Sequence, residues 1–191
     1  PAAVSVGGSF HACALDDNGI TCWGENTDGQ TDVPSLSNPV AIAAGALYTC
    51  ALDDGGVNCW GHNLLGQTNV PSLSNPVAVS AGYGHTCASD DNGVTCWGRN
   101  GYGETDVPSL SNPVAVNMST NYNCALDDNG VTCWGRNDYG QTDVPTSLMF
   151  DQDGDGITAQ NGQDLFPHDA SEWSDTDADG VGDNSDVFPN D

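Results

Sequence analysis

Between residues 1 and 148 the chain is written in short alternating runs, each bounded by Gly, Pro, Asn or Asp. One stretch shows the pattern. Pro76-Val77-Ala78-Val79-Ser80-Ala81-Gly82 is followed by His85-Thr86-Cys87-Ala88-Ser89-Asp90, then Asp91-Asn92-Gly93, then Val94-Thr95-Cys96-Trp97-Gly98. Alternation of apolar and polar positions with a period of two predicts half-buried strands. Asp-Asn-Gly between two such runs predicts a hairpin turn, because Asn and Gly tolerate positive φ. Beyond Gly98 come Val107-Pro108 and Ser109-Leu110-Ser111-Asn112-Pro113. Proline cannot donate to a strand ladder, so this connection reads as a loop. The unit is about three short strands and one ordered loop. No stretch carries a 3.6-residue apolar period, so helix is expected to be scarce.

The unit returns every 37 residues. Its first cysteine falls at Cys13, Cys50, Cys87 and Cys124, and its second at Cys22, Cys59, Cys96 and Cys133. A fixed period of this size means one supersecondary unit copied along the chain, each copy burying its apolar face against the next. The expected fold class is all-β: four blade-like repeats over residues 1–148, then a compositionally different tail over residues 149–191. Within each hairpin the cysteines sit on neighbouring strands near the same level. The expected disulfides are Cys13–Cys22, Cys50–Cys59, Cys87–Cys96 and Cys124–Cys133. Each closes a loop of about ten residues, worth roughly 2.5–3 kcal/mol in the chain-entropy model. Zinc held by Cys-x8-Cys pairs is the weaker alternative, since zinc sites favour closer spacing. An even cysteine count at fixed spacing points to an oxidising, extracellular or cell-surface compartment. A first residue Pro1 with no leader before it fits a trimmed secreted chain.

Composition narrows the partners. The 191 residues carry 27 acidic groups against two basic ones, Arg99 and Arg136, for a formal charge of -25. Such a chain is repelled by nucleic acid and by anionic membrane surfaces, and its natural small partners are cations. No apolar run approaches the length of a bilayer span.

The string Trp-Gly-x-Asn-x-x-Gly-Gln recurs at Trp23 to Gln30, Trp60 to Gln67, Trp97 to Glu104 and Trp134 to Gln141. With the Ala-Gly and the His or Tyr two residues before the first cysteine, it resembles the regulator of chromosome condensation repeat, in its short bacterial form of three-stranded blades. The resemblance covers residues 1 to about 148 and implies a β-propeller, usually of seven blades. Only four copies stand here, and Pro1-Ala2-Ala3-Val4 looks like the junction between two repeats. Four blades could close as a small ring, pair with another chain's blades, or stack as an open array. Assembly with further copies is the expectation, since unpaired blade faces invite self-association. Family members include nucleotide exchange factors for small GTPases and an inhibitor of β-lactamases. Those activities depend on loop residues that find no match here, and fold alone does not fix function.

After Met149 the composition changes. Residues 151–191 hold 12 of the acidic groups and no Lys or Arg. Asp175-x-Asp177-x-Asp179-Gly180 leads on to Asp183 and Asp186, with Val181 at the seventh position. Alternate aspartates aim oxygens at one point, the glycine permits the sharp turn, and the later acids close the far side. Hard oxygen ligands at this density select Ca2+. No helices flank the loop, and with Val187-Phe188-Pro189-Asn190-Asp191 it resembles a thrombospondin type 3 repeat. A first copy runs from Asp151, Asp153, Asp155 and Ile157 to Asp164. It has Ala159 where the second has Asp183, so Asn161, Asp164, Asp169 or Glu172 is left to complete it. The resemblance implies that calcium takes the place of an apolar core in this tail, ordering it.

Other features have structural readings. His11 and His85 share their position with Tyr48 and Tyr122, which points to blade packing. Trp23, Trp60, Trp97 and Trp134 read as blade core rather than as a carbohydrate surface. Asn117-Met118-Ser119 is a glycosylation sequon, meaningful only in a host that glycosylates. No nucleophile or carboxylate pair suggests catalysis. The expectation is a non-enzymatic extracellular building block of a surface assembly or fibre, binding calcium and further copies of itself. The alternatives are an adhesin that uses loop residues such as Tyr102 and Tyr139 on glycans or surface proteins, and an inhibitor or accessory domain of a larger secreted protein.

Overall fold

The computed structural model describes residues 3–8, 10–145 and 148. Among them are twelve strands in four three-stranded antiparallel sheets, each following chain order. Blade 1 comprises β1 Ala3–Val6, β2 His11–Asp16 and β3 Gly19–Gly24. Blade 2 comprises β4 Ala41–Ala44, β5 Tyr48–Asp53 and β6 Gly56–Gly61. Blade 3 comprises β7 Ala78–Ala81, β8 His85–Asp90 and β9 Gly93–Gly98. Blade 4 comprises β10 Ala115–Met118, β11 Tyr122–Asp127 and β12 Gly130–Gly135. The described residues contain no α-helix; each Trp-Gly ends the third strand of its blade, and the residues that follow, from Glu25, His62, Arg99 and Arg136, are loops.

Register puts each cysteine pair directly opposite: Cys13 on Cys22, Cys50 on Cys59, Cys87 on Cys96, Cys124 on Cys133. All four are disulfides, with Cα atoms 4.0–4.1 Å apart. The hairpin turn differs from the expectation in one detail. Gly19, Gly56, Gly93 and Gly130 take the positive φ, at 106–109°, whereas Asn18, Asn92 and Asn129 do not. The preceding aspartate explains this. Asp16, Asp90 and Asp127 accept the main-chain N–H of Asn18, Asn92 and Asn129 at 2.8–2.9 Å, a local Asx turn that holds the Asn in an ordinary conformation.

The aspartates at the hairpin turns also anchor the strap that leads into each of blades 2 to 4. Ser37 N–H donates to Asp53, Ser74 N–H to Asp90 and Ser111 N–H to Asp127, at 2.7–2.9 Å. Asn38, Asn75 and Asn112, with φ of 48–49°, turn the strap and donate to Asp54, Asp91 and Asp128 at 2.5–2.6 Å. Asn tolerates this left-handed backbone because its short polar side chain bonds locally. Main-chain donors hold the Asp90 carboxyl below its usual range, the Ser74 amide first among them.

The core lies between blades. Side chains alternate along each strand, so one face of a sheet meets the blade before and the other the blade after. Leu15 and Leu52 point forward and are 5% and 3% exposed; Ala44, pointing backward, is 7% exposed.

Candidate functional site

The junction between consecutive blades is built three times by one rule. In each, the carbonyl that closes the Gly-Gln or Gly-Glu loop of one blade receives two donors from the next. Gln30 O accepts Trp60 Nε1 at 3.0 Å and Thr49 Oγ1 at 2.8 Å. Gln67 O accepts Trp97 Nε1 at 3.0 Å and Thr86 Oγ1 at 2.8 Å. Glu104 O accepts Trp134 Nε1 at 3.0 Å and Asn123 Nδ2 at 2.7 Å. The glycine after each tryptophan permits the approach: Gly98, at φ +99°, would carry a Cβ 3.0 Å from Gln67 Cα. The loop that presents the carbonyl is self-supporting. Asn63 Oδ1 accepts Thr68 N–H and Gln67 Oε1 accepts Leu65 N–H, and the other copies repeat this. The repeated string is therefore the hardware of the blade junction.

A second row of contacts runs beside it. His11 Nε2 meets Thr49 Oγ1 at 3.0 Å, and His85 Nε2 meets Asn123 Oδ1 at 2.6 Å. The Tyr48 hydroxyl donates to the His85 carbonyl and lies 3.0 Å from Thr86 Oγ1, whose own proton goes to Gln67 O. The Thr49 proton is already spent on Gln30 O, and Asn123 presents an oxygen to its histidine. Both histidines must therefore donate from Nε2, leaving Nδ1 bare and buried without a partner. A proton there would be a buried, unmatched charge, so burial lowers both histidines from 6.5. Burial pushes the Tyr48 phenol up. These rings pack and bond between blades, as the sequence suggests.

The rule fails at the two ends. Trp97 and Trp134 are 8% and 7% exposed, but Trp23 is 52% exposed. No blade before it covers the indole among the described residues, which corrects the reading of all four tryptophans as core. Ala12, opposite Trp23, stands where the later blades have Thr49, Thr86 and Asn123. Val4 and Val6 lie on the same face, 70% and 73% exposed. On blade 4 the forward face is open instead: Leu126 is 40% exposed. Among the described residues, blade 4 leaves the Trp23 face bare, and the four blades do not close as a ring.

A third feature lies on the loop rim. Arg99 stacks over the rings of Tyr83 and Tyr102 at 6.0 and 5.4 Å, and Arg136 over Tyr102 at 5.0 Å. Both basic residues of the sequence meet at one exposed tyrosine. Each is partnered by an acid, Glu104 for Arg99 and Asp138 for Arg136. Sequence spacing carries no sign of this, because Tyr83 lies on a different loop from Tyr102.

No group of three or more His, Cys, Asp or Glu able to hold a metal occurs among the described residues. The Asp-Asp turns of blades 2 to 4 spend their carboxylates on the turn and strap amides. The proposed calcium ligands, Asp151, Asp153, Asp155, Ile157, Asp164, Asp175, Asp177, Asp179, Val181, Asp183 and Asp186, lie outside the described residues. No helix among the described residues is long and apolar enough to cross a membrane.

Residues 2–30, 77–104 and 114–141 match the model of the Regulator of chromosome condensation (RCC1) repeat. A search of curated proteins finds no match. Among solved structures, the ectodomain of the Physcomitrella patens receptor kinase CR4 is 25% identical with a TM-score of 0.61, over 74% of this chain and 42% of that one. The ectodomain of the Arabidopsis thaliana receptor kinase ACR4 is 28% identical with a TM-score of 0.57, over 70% and 49%. Prp20p from Saccharomyces cerevisiae is 18% identical with a TM-score of 0.60, over 73% and 44%, a likeness of fold alone. The chain spans less than half the length of each of these structures.

Proposed function

We propose that this array of RCC1 repeats is a non-catalytic extracellular building block, which associates through its open blade faces into a surface assembly or fibre. The carrying observation is that Trp23 and Leu126 are bare at opposite ends of the array, on faces that a neighbouring blade covers elsewhere. Four cystines support an oxidising location, as does the likeness to two receptor ectodomains. In this reading the aspartate loops of the tail bind Ca2+ and stiffen the segment beyond blade 4; the spacing of Asp175, Asp177 and Asp179 supports it. Sedimentation velocity over a concentration series at high ionic strength tests the association. Species growing with concentration support it, and a single monomer boundary at every concentration refutes it.

A second reading rests on a separate observation. Tyr83, Tyr102 and Tyr139 are exposed on neighbouring loops, with guanidinium groups stacked at Tyr102. Exposed aromatic faces flanked by fixed polar groups suit sugar rings, so the rim would serve as an adhesive surface. Glycan-array binding that disappears in the Tyr102→Ala variant supports this role.

A further inference from the structure

One strip of the loop rim is apolar and without net charge, in a chain of net charge -25. Leu64 is 87% exposed and Tyr83 51%, with Leu65 between them. Gly84 is the seam: a Cβ there would stand 2.9 Å from Leu65 Cδ1 and 3.6 Å from Arg99 Cβ. Arg99 then stacks over Tyr83 and Tyr102, and Arg136 over Tyr102. Glu104 and Asp138 neutralise the two guanidiniums. The leucines and tyrosines of the strip belong to blades 2 and 3, each flanked by a blade on both sides, so their exposure owes nothing to the ends of the array. The strip also lies away from the Asp-Asp turns. His85 pairs with Gly98 at the rim end of blade 3 and Asp90 with Gly93 at the turn end, about 17 Å apart at the rise of a strand. Exposed Asp106, on the Tyr102 loop, and exposed Asp138 border it.

We infer that this strip docks a basic segment of another protein, which seats apolar side chains on Leu64, Leu65 and Tyr83 and turns its lysines or arginines toward Asp106 and Asp138. An apolar centre with tyrosine and arginine, bordered by charge, has the anatomy of a protein contact. Charge sets the sign of the partner. The field of 27 acidic groups repels an acidic segment and steers a basic one inward. Side-chain chemistry sets its class. Two neighbouring exposed leucines offer no hydrogen bonds to sugar hydroxyls, and the Tyr102 ring already carries two guanidiniums. The strip is separate from the open blade faces, so the inference does not rest on the assembly reading. It shares the rim with the sugar reading and names the other class of partner.

The test is fluorescence anisotropy of labelled synthetic peptides added to the full chain, one alternating lysine with leucine and one alternating lysine with serine. The lysine–leucine peptide binds the parent chain, and more weakly as salt rises. The Leu64→Ser/Tyr83→Ser variant, which leaves every charge in place, loses at least about tenfold in affinity for it, the loss expected when central anchors are truncated. Circular dichroism confirms that this variant is folded. Leu64→Ser alone, at a position almost wholly in solvent, gives a smaller loss in the same direction. The lysine–serine peptide binds more weakly and does not distinguish parent from variant. If the two peptides bind alike, the acidic surface attracts any polycation and the inference is overturned. It is overturned equally if the lysine–leucine peptide binds parent and variant alike, or if the chain ignores both peptides and takes a glycan at Tyr83 instead. None of these outcomes bears on the assembly reading, which sedimentation tests separately.

Discussion

The Trp97 indole donates to the main-chain carbonyl of Gln67, a residue 30 positions earlier and one blade back, at 3.0 Å. That bond carries the logic of the array: each blade is completed by its neighbour. Trp97→Phe keeps most of the apolar bulk and removes the donor, and its expected cost is about 1 kcal/mol in a urea titration. Trp97→Ala should cost about 3–5 kcal/mol through the cavity it leaves. The same changes at exposed Trp23 should leave the stability of the dilute monomer nearly unchanged. Equal losses at Trp23 and Trp97 would contradict the assignment of an open face.

His85 makes the fold acid-sensitive. Its folded-state pKa lies below the ordinary 6.5, because the imidazole is buried with Nδ1 unpartnered. Above 6.5 neither state carries the charge, and the group contributes no pH dependence. As pH falls below 6.5 the unfolded chain takes up the proton first, and stability declines until the folded value is reached. The melting temperature should therefore fall between neutral and mildly acidic pH. The His85→Tyr/Asn123→Thr double variant transplants the Tyr48–Thr86 pairing into the next junction and should flatten that fall. An unchanged slope would show that His85 titrates freely.

Each strap asparagine has two roles, backbone and side chain. Asn75 takes a φ of 49° and donates to Asp91 at 2.5 Å. Asn75→Ala should cost about 1–2 kcal/mol, since alanine resists the left-handed region. Asn75→Gly should cost less, losing the hydrogen bond alone. Thermal melts that reverse this order would show the backbone conformation to be unimportant.

Each cystine spans a hairpin whose register already sets the two residues face to face. Removing one, as in Cys87→Ala/Cys96→Ala, should lower stability by about 2–3 kcal/mol without changing the strand signal in circular dichroism. Melts with and without reductant check the combined effect of all four.

Much of this architecture is legible in the sequence because the repeat states its own grammar. The 37-residue spacing and the Asp-Asn-Gly turns mark the hairpins, and facing cysteines follow from their register. The two prolines of the strap mark a loop. What the sequence hides is which neighbour each side chain meets. The donors to Gln67 O come from Thr86 and Trp97, 19 and 30 residues away. Nothing in an alternating strand says that its polar position will cap a loop of the preceding blade. The openness of Trp23 is hidden for the same reason: its local sequence, Cys22-Trp23-Gly24, is that of the buried copies. The meeting of Arg99, Arg136 and Tyr102 depends on how adjacent loops splay, which no local spacing encodes.

The aspartate loops carry their own prediction. Titration calorimetry of the full chain should show Ca2+ binding that Asp177→Asn weakens and truncation after residue 148 abolishes. Undiminished binding by the truncated chain would place calcium on the blades instead.

The most direct measurement is negative-stain electron microscopy of the full chain, at high ionic strength with calcium and again after chelation. The account predicts filaments with calcium that loosen or shorten when it is removed. Isolated globules or closed rings under both conditions would contradict it.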